Sequence, residues 1–150
     1  MVNAVGRLLS EVQRAYLAGL IDGDGAIMAC IEPHSKKKFK FRIRVEVKVT
    51  LSAESDVTWI KQLTGIGYIR ENRRTFEWIV RDKQEVKHVL IMIAPYLHSK
   101  HQQGMLAQKV IEHKVDTQED LYQAACLADR LSNFNVRSKK RRKNFASMIQ

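Results

Sequence analysis

The chain has 150 residues, 45% of them hydrophobic, and a formal net charge of +10 at neutral pH. That is enough apolar material for the core of one domain, expected over residues 1–150, yet no apolar run approaches the length of a membrane span. The first residues also lack the apolar core and cleavage site of a secretory signal. An intracellular protein is therefore expected, in a prokaryotic cytoplasm or in the organelle that encodes it.

The placement of the charge says more than its size. Between Lys36 and Lys48 seven basic residues face Glu46 alone, and between Arg137 and Lys143 six basic residues face no acid. The rest of the chain is nearly neutral, the footprint of a polyanion partner. Cys30 and Cys126 are far apart and have no histidine at ligand spacing, so two reduced, partly buried thiols are expected rather than a zinc site or a disulfide.

Ser10 and Gln13 form a capping-box pair, and apolar residues at helical spacing from Glu11 to Ile21 predict a helix ending near Asp22. Its end reads Leu17-Ala18-Gly19-Leu20-Ile21-Asp22-Gly23-Asp24-Gly25. Ala15, Ala18 and Gly19 leave one face nearly bare, which lets another helix approach backbone to backbone, with Asp22 and Asp24 at the bottom of the contact. Gly23 and Gly25 read as the permissive backbone of an abrupt exit.

Eight of these nine residues match the signature of the LAGLIDADG homing endonucleases, with Gly23 in place of the second alanine, and the chain resembles that family. The signature helix is assigned to residues 11–25. Only one copy of the signature is present, which by this resemblance implies the homodimeric group, with Ala15, Ala18, Gly19 and Asp22 at the dimer interface.

Further along, Ala26 to Glu32 reads as a short strand, Pro33 to Lys38 as a loop, and Phe39 to Leu51 as a long strand. Every odd position of that strand is apolar, while Lys40, Arg42, Arg44, Glu46, Lys48 and Thr50 alternate with them. Ser52 opens a helix through Leu63, ended by Gly65 and Gly67. Strands at Tyr68 to Asn72 and Thr75 to Arg81 follow, with Phe76, Trp78 and Val80 as the buried set. Asp82 and Glu85 cap a helix that stops before Pro95, and two more helices are expected at about 100–112 and 117–133, before a basic tail at 136–150.

The expected fold class is α+β in the order α-β-β-α-β-β-α with extra C-terminal helices: one antiparallel four-stranded saddle-shaped sheet, helices on one face, the other face open and basic. A strand of thirteen residues is about 43 Å long and would follow on the order of ten base pairs of a DNA groove. The resemblance implies that this face sits in the major groove.

By the same resemblance, Asp24 is the catalytic acid and metal ligand, Gly23 the adjacent carbonyl ligand, and Lys100 the active-site lysine. The implied ion is Mg²⁺, with Mn²⁺ or Ca²⁺ able to occupy the site, since phosphodiester hydrolysis uses a hard cation bridging water and phosphate. Where relatives often carry a solvent-ordering Gln at the end of the long strand, this chain is read as having Leu51. The DNA-reading candidates are Glu32, His34, Lys36, Arg42, Arg44, Glu46, Lys48, Arg70, Asn72, Glu77 and Arg81. Arginine forks suit guanine, and Glu accepts from cytosine. Arg137, Lys139, Lys140, Arg141, Arg142 and Lys143 suit phosphates, which position without specifying.

The expected function is a homodimeric, sequence-specific, metal-dependent endonuclease cutting a long, near-palindromic site in double-stranded DNA, as intron homing requires. Two alternatives stay open, an RNA-binding cofactor for splicing of the host intron and a DNA-binding regulator that has lost cleavage.

Overall fold

The computed structural model describes residues 5–135 and 144–149. The expected α+β order is present: α1 (Glu11–Asp24), β1 (Gly25–Pro33), β2 (Phe41–Leu51), α2 (Glu54–Thr64), β3 (Tyr68–Asn72), β4 (Thr75–Val80) and α3 (Lys83–Ile93). A single 3-10 turn at Ala94–Tyr96 then leads to α4 (His101–Glu112), α5 (Gln118–Asn135) and α6 (Phe145–Ile149). Among the described residues no helix is long and apolar enough to cross a membrane.

Local chemistry sets the boundaries. The Ser10 hydroxyl accepts from the Gln13 amide at 3.2 Å while the Gln13 side chain accepts from the Ser10 amide at 3.0 Å, so two orphan donors at the start of α1 are satisfied reciprocally. Asp82 does the same work for α3, accepting from the amides of Gln84 and Glu85. Helix α2 starts at Glu54 with Ala53 at its cap and no capping side chain, two residues later than Ser52 suggested.

The four strands form one open antiparallel sheet in the order β1-β2-β4-β3. Strand β2 begins at Phe41 rather than Phe39, because Lys40 takes a left-handed backbone with φ 66° and turns the chain. The Lys40 carbonyl accepts from the His34 amide at 2.8 Å, closing the hairpin loop. Alternation then sorts the strand: Val45, Val47 and Val49 go to the core with Ile27, Ala29 and Ile31 of β1. The even positions face away from the helices.

Trp78 is the largest fully buried side chain, and its indole N–H donates to the Ile66 carbonyl at 3.0 Å. Gly67 lies against it with φ 79°, and a Cβ there would stand 2.7 Å from the indole nitrogen, so both backbone and space demand glycine. Gly25 is required for a different reason than an abrupt helix exit. Its backbone is extended, but a Cβ would meet Ile21 Cα at 2.7 Å and the Lys48 carbonyl at 2.8 Å. The last glycine of the nine-residue motif therefore lets the end of α1 pass directly over β2. Both cysteines are free and half-buried.

Candidate functional site

Helix α1 ends at the sheet, and β1 begins at the next residue, so Asp24 sits where the helix layer meets the first strand. Asp24 is exposed, and no donor among the described residues bonds its carboxylate. Gly23 is also exposed, in the last turn, where helix carbonyls lack partners further along the chain. A carboxylate beside a backbone carbonyl is a hard-oxygen donor set, the kind that suits Mg²⁺. Among the described residues no group of three or more His, Cys, Asp or Glu side chains gathers to hold a metal.

Asp22 does something the sequence did not disclose. Its carboxylate accepts from the His98 amide at 2.8 Å and the Lys100 amide at 2.9 Å, and its carbonyl accepts from Lys100 Nζ at 2.6 Å. The lysine assigned to the site is thereby brought to the last turn of α1, two residues from Asp24. Asp22, assigned to the dimer face, is half-buried, and its carboxylate is committed to these contacts within its own chain.

Ala18 requires a correction. It is fully buried in the chain's own core with Leu17 and Ile21, so it offers nothing to a partner helix. The open stripe of α1 is instead Val12, Ala15, Tyr16, Gly19 and Gly23, at helical spacing and all exposed. Among the described residues, no other segment lies within 4 Å of where a Cβ would stand on Gly19 or Gly23. Val12 is 79% exposed and Tyr16 57%, the latter stacked edge-on against exposed Trp59 of α2 at 5.4 Å. That is an apolar surface with small residues along its middle.

The open sheet face carries most of the expected reading residues, but it is not simply basic. Glu32 accepts from Arg42 and lies 3.5 Å from Arg44. Glu46 accepts from Arg81 Nε at 2.5 Å, and Arg81 also lies over the Tyr68 ring. Glu77 accepts from Arg70 and is 3.4 Å from Lys48. The acids are hubs that hold the cations in place. Glu46 and Glu77, both among the reading candidates, are buried beneath them.

The electrostatics follow this pairing. The Arg42 bond holds the Glu32 carboxyl below the usual glutamate range against a smaller opposing effect of burial, with Arg44 and His34 adding to it. Burial pushes Glu77 up, but its bond to Arg70 and the Lys48 and Arg70 charges together outweigh burial, and it too lies low. The bond to Glu46 pushes Arg81 higher still. Glu32 and Glu77 are therefore carboxylates at neutral pH.

The register lays the residues out in order. Gly25 opposes Val49, and Thr50 opposes Glu77, so Lys48, Thr50, Glu77 and Arg70 lie near the end of α1, with Asn72 exposed beyond them. Arg42, Arg44 and Glu32 lie at the far end, next to the loop carrying half-buried His34 and exposed Lys36. Leu51 falls on the helix side and packs against the core, so it cannot order solvent on the open face, where Thr50 is the terminal residue. Ile79 went unnoticed in the sequence: it is fully buried on the open face, although strict alternation with Trp78 and Val80 would have placed it there. The basic tail, Arg137, Lys139, Lys140, Arg141, Arg142 and Lys143, lies outside the described residues.

Comparison with known proteins agrees with this geometry. The family model described as LAGLIDADG endonuclease matches residues 17–111, more than half of the chain. The DNA endonuclease I-CreI of Chlamydomonas reinhardtii is 29% identical over 106 residues, covering 69% of this chain and 65% of that protein, just under two thirds of its length. The homing endonuclease I-CvuI, solved with the I-CreI target in the presence of Mg, superposes with a TM-score of 0.84 at 28% identity over 93% of this chain and 90% of that one. I-SmaMI, solved bound to an uncleaved DNA target with calcium, shares the fold with a TM-score of 0.72 at 22% identity, covering 89% of this chain but 47% of the longer one. The chain belongs to the LAGLIDADG endonuclease family.

Proposed function

We propose that this chain is a sequence-specific, divalent-metal-dependent endonuclease for double-stranded DNA that works as a homodimer. The observation that carries the reading is the end of α1, where exposed Asp24, with no partner among the described residues, stands two residues from the carbonyl that holds the Lys100 ammonium. A sheet face set with arginine and lysine begins at the same point. The I-CreI relative is named as a DNA endonuclease, and I-CvuI was solved on DNA with Mg, which supports a polyanion substrate and a hard cation.

Asp24 and the Gly23 carbonyl would hold the ion, Mg²⁺ or another hard divalent cation, with DNA phosphates and a second chain completing its shell. When bound, such an ion polarises the scissile phosphate and makes water a nucleophile at neutral pH. The Lys100 ammonium would offset negative charge developing on the phosphate. The exposed stripe through Gly19 and Gly23 would seat the same stripe of a second copy, bringing two Asp24 residues together near the two-fold axis. That a single copy of the fold fills about half of I-SmaMI supports this pairing.

Glu32, His34, Lys36, Arg42, Arg44, Glu46, Lys48, Arg70, Asn72, Glu77 and Arg81 would form or shape the reading surface, and the basic tail would contact phosphates. The test is a cleavage selection on a randomised DNA library, followed by Asp24→Asn on the selected site. Cutting should vanish while binding stays within about two-fold, because a ligand charge is lost but no reading residue is. Retained Mg²⁺-dependent cutting by Asp24→Asn, or tight binding only to structured RNA, would overturn the reading.

A further inference from the structure

We propose that Asp22 is the positioning residue for Lys100, holding that lysine by both of its ends. For its effect on cutting the proposal rests on the nuclease reading above; its geometric content does not. Asp22 lies in the last turn of α1, and the residues it holds are 76 and 78 positions later in the chain. Pro95 ends α3, the 3-10 turn follows, the Leu97 amide donates back to the Ile93 carbonyl at 3.1 Å, and His98–Lys100 lies between helices, outside any regular element. The segment is anchored by buried Leu97, whose Cδ1 packs against Gly104 so closely that a Cβ there would stand 2.8 Å away.

Lys100 is the cap residue of α4 and has no side-chain cap bond of its own. The Asp22 carboxylate stands just ahead of the helix, an anion near its N-terminus with one oxygen on the His98 amide and the other on the amide of Lys100 itself. The ammonium of the same lysine returns to the Asp22 carbonyl, a cation at the C-terminus of α1. A free lysine side chain loses rotamer entropy on being fixed. Here one aspartate fixes its start and its tip together, leaving two ammonium hydrogens outside that bond, two residues from Asp24 in the chain. Both carboxylate oxygens of Asp22 are engaged with amides, so its work is to aim Lys100 rather than to hold an ion.

The test uses the full-length protein with Asp22→Asn, which keeps the shape but loses the charge and one of the two acceptors. With ¹⁵N-labelled lysine, wild-type protein should show one ammonium resonance protected from exchange, absent in Lys100→Met and lost in Asp22→Asn. Single-turnover cleavage at saturating DNA should slow about 10- to 100-fold in Asp22→Asn, with affinity for the uncleaved site little changed. The double variant Asp22→Asn/Lys100→Met should be no slower than Lys100→Met alone, because the first change acts through the second residue.

Persistence of the Lys100 resonance in Asp22→Asn, multiplying losses in the double variant, or a loss confined to binding or melting temperature would each overturn the proposal. Should Asp22→Asn fail to fold, Asp22→Glu keeps the charge but displaces the carboxylate by a methylene, and the protected resonance is expected to be lost with the same slowing of cleavage. A wild-type protein that binds but never cuts would end the nuclease reading and leave the ammonium resonance to decide the positioning role.

Discussion

Arg70 donates to Glu77 from Nε at 2.9 Å and from Nη2 at 2.5 Å, directly across the β3–β4 register. The carboxylate is nearly buried while its partners Arg70 and Lys48 remain partly in water. Glu77→Gln should therefore cost about 1–2 kcal/mol in urea unfolding, less than breaking a fully buried pair. The same change frees two cations, so affinity for arbitrary DNA should rise and the gap between the cognate site and random DNA should narrow. Competition binding against random duplex measures that gap, and an unchanged ratio would detach Glu77 from specificity.

The pH dependence of stability follows from the same groups. Glu32, held chiefly by its bond to Arg42, and Glu77, whose burial is outweighed by Arg70 and Lys48, both have folded-state pKa values below the ordinary 4.5. A carboxylate with a lowered folded pKa contributes stability above its unfolded value and loses it as pH falls through the folded one. The melting temperature of the free protein should hold between pH 7 and about 5, then fall below about 4.5. Glu77→Gln should flatten that fall.

Arg42 and Lys48 are six residues apart on β2 and point to the same open face. At about 3.3 Å per residue that is roughly 20 Å, or about six base pairs. Arg42→Ala should relax base preference at the outer end of each half-site, and Lys48→Ala at a position about six pairs nearer the centre, each by about 1–3 kcal/mol. Binding to a panel of single-base variants reads both positions. Loss at one shared position would mean that β2 does not run along the groove.

Neighbouring residues of α1 should fail in opposite ways. Gly19→Leu adds a side chain where no other segment among the described residues stands within 4 Å, so each subunit should fold normally while sedimentation shows monomers. Ala18→Leu forces the same bulk into a fully buried position and should lower stability by about 1–3 kcal/mol before any effect on assembly. An intact dimer in Gly19→Leu would place the interface elsewhere.

The order of elements was legible because its signals are local: the Ser10–Gln13 box, the Asp82 cap, the alternation of β2 and the Pro95 stop all act within a few residues. The early start assigned to β2 failed at Lys40, a non-glycine in left-handed backbone, where composition gives no warning. Ala18 was misassigned for a related reason. Small residues are compatible with either side of a helix, and only packing against Leu17 and Ile21 distinguishes the sides. Candidate site residues were visible as residue types, but their partners were not, because Asp22 to Lys100 and Glu46 to Arg81 are contacts between segments far apart in sequence.

Gly25 lets α1 descend onto β2 so closely that the helix end and the strand register are one rigid piece. Under the proposed function this makes the sheet a ruler whose zero mark is Asp24: each open-face residue reads at a distance from the cut set by counting along β1 and β2. Recognition would then be lengthened at the outer margin, by changes in the loop between Pro33 and Phe41, with the scissile position unmoved.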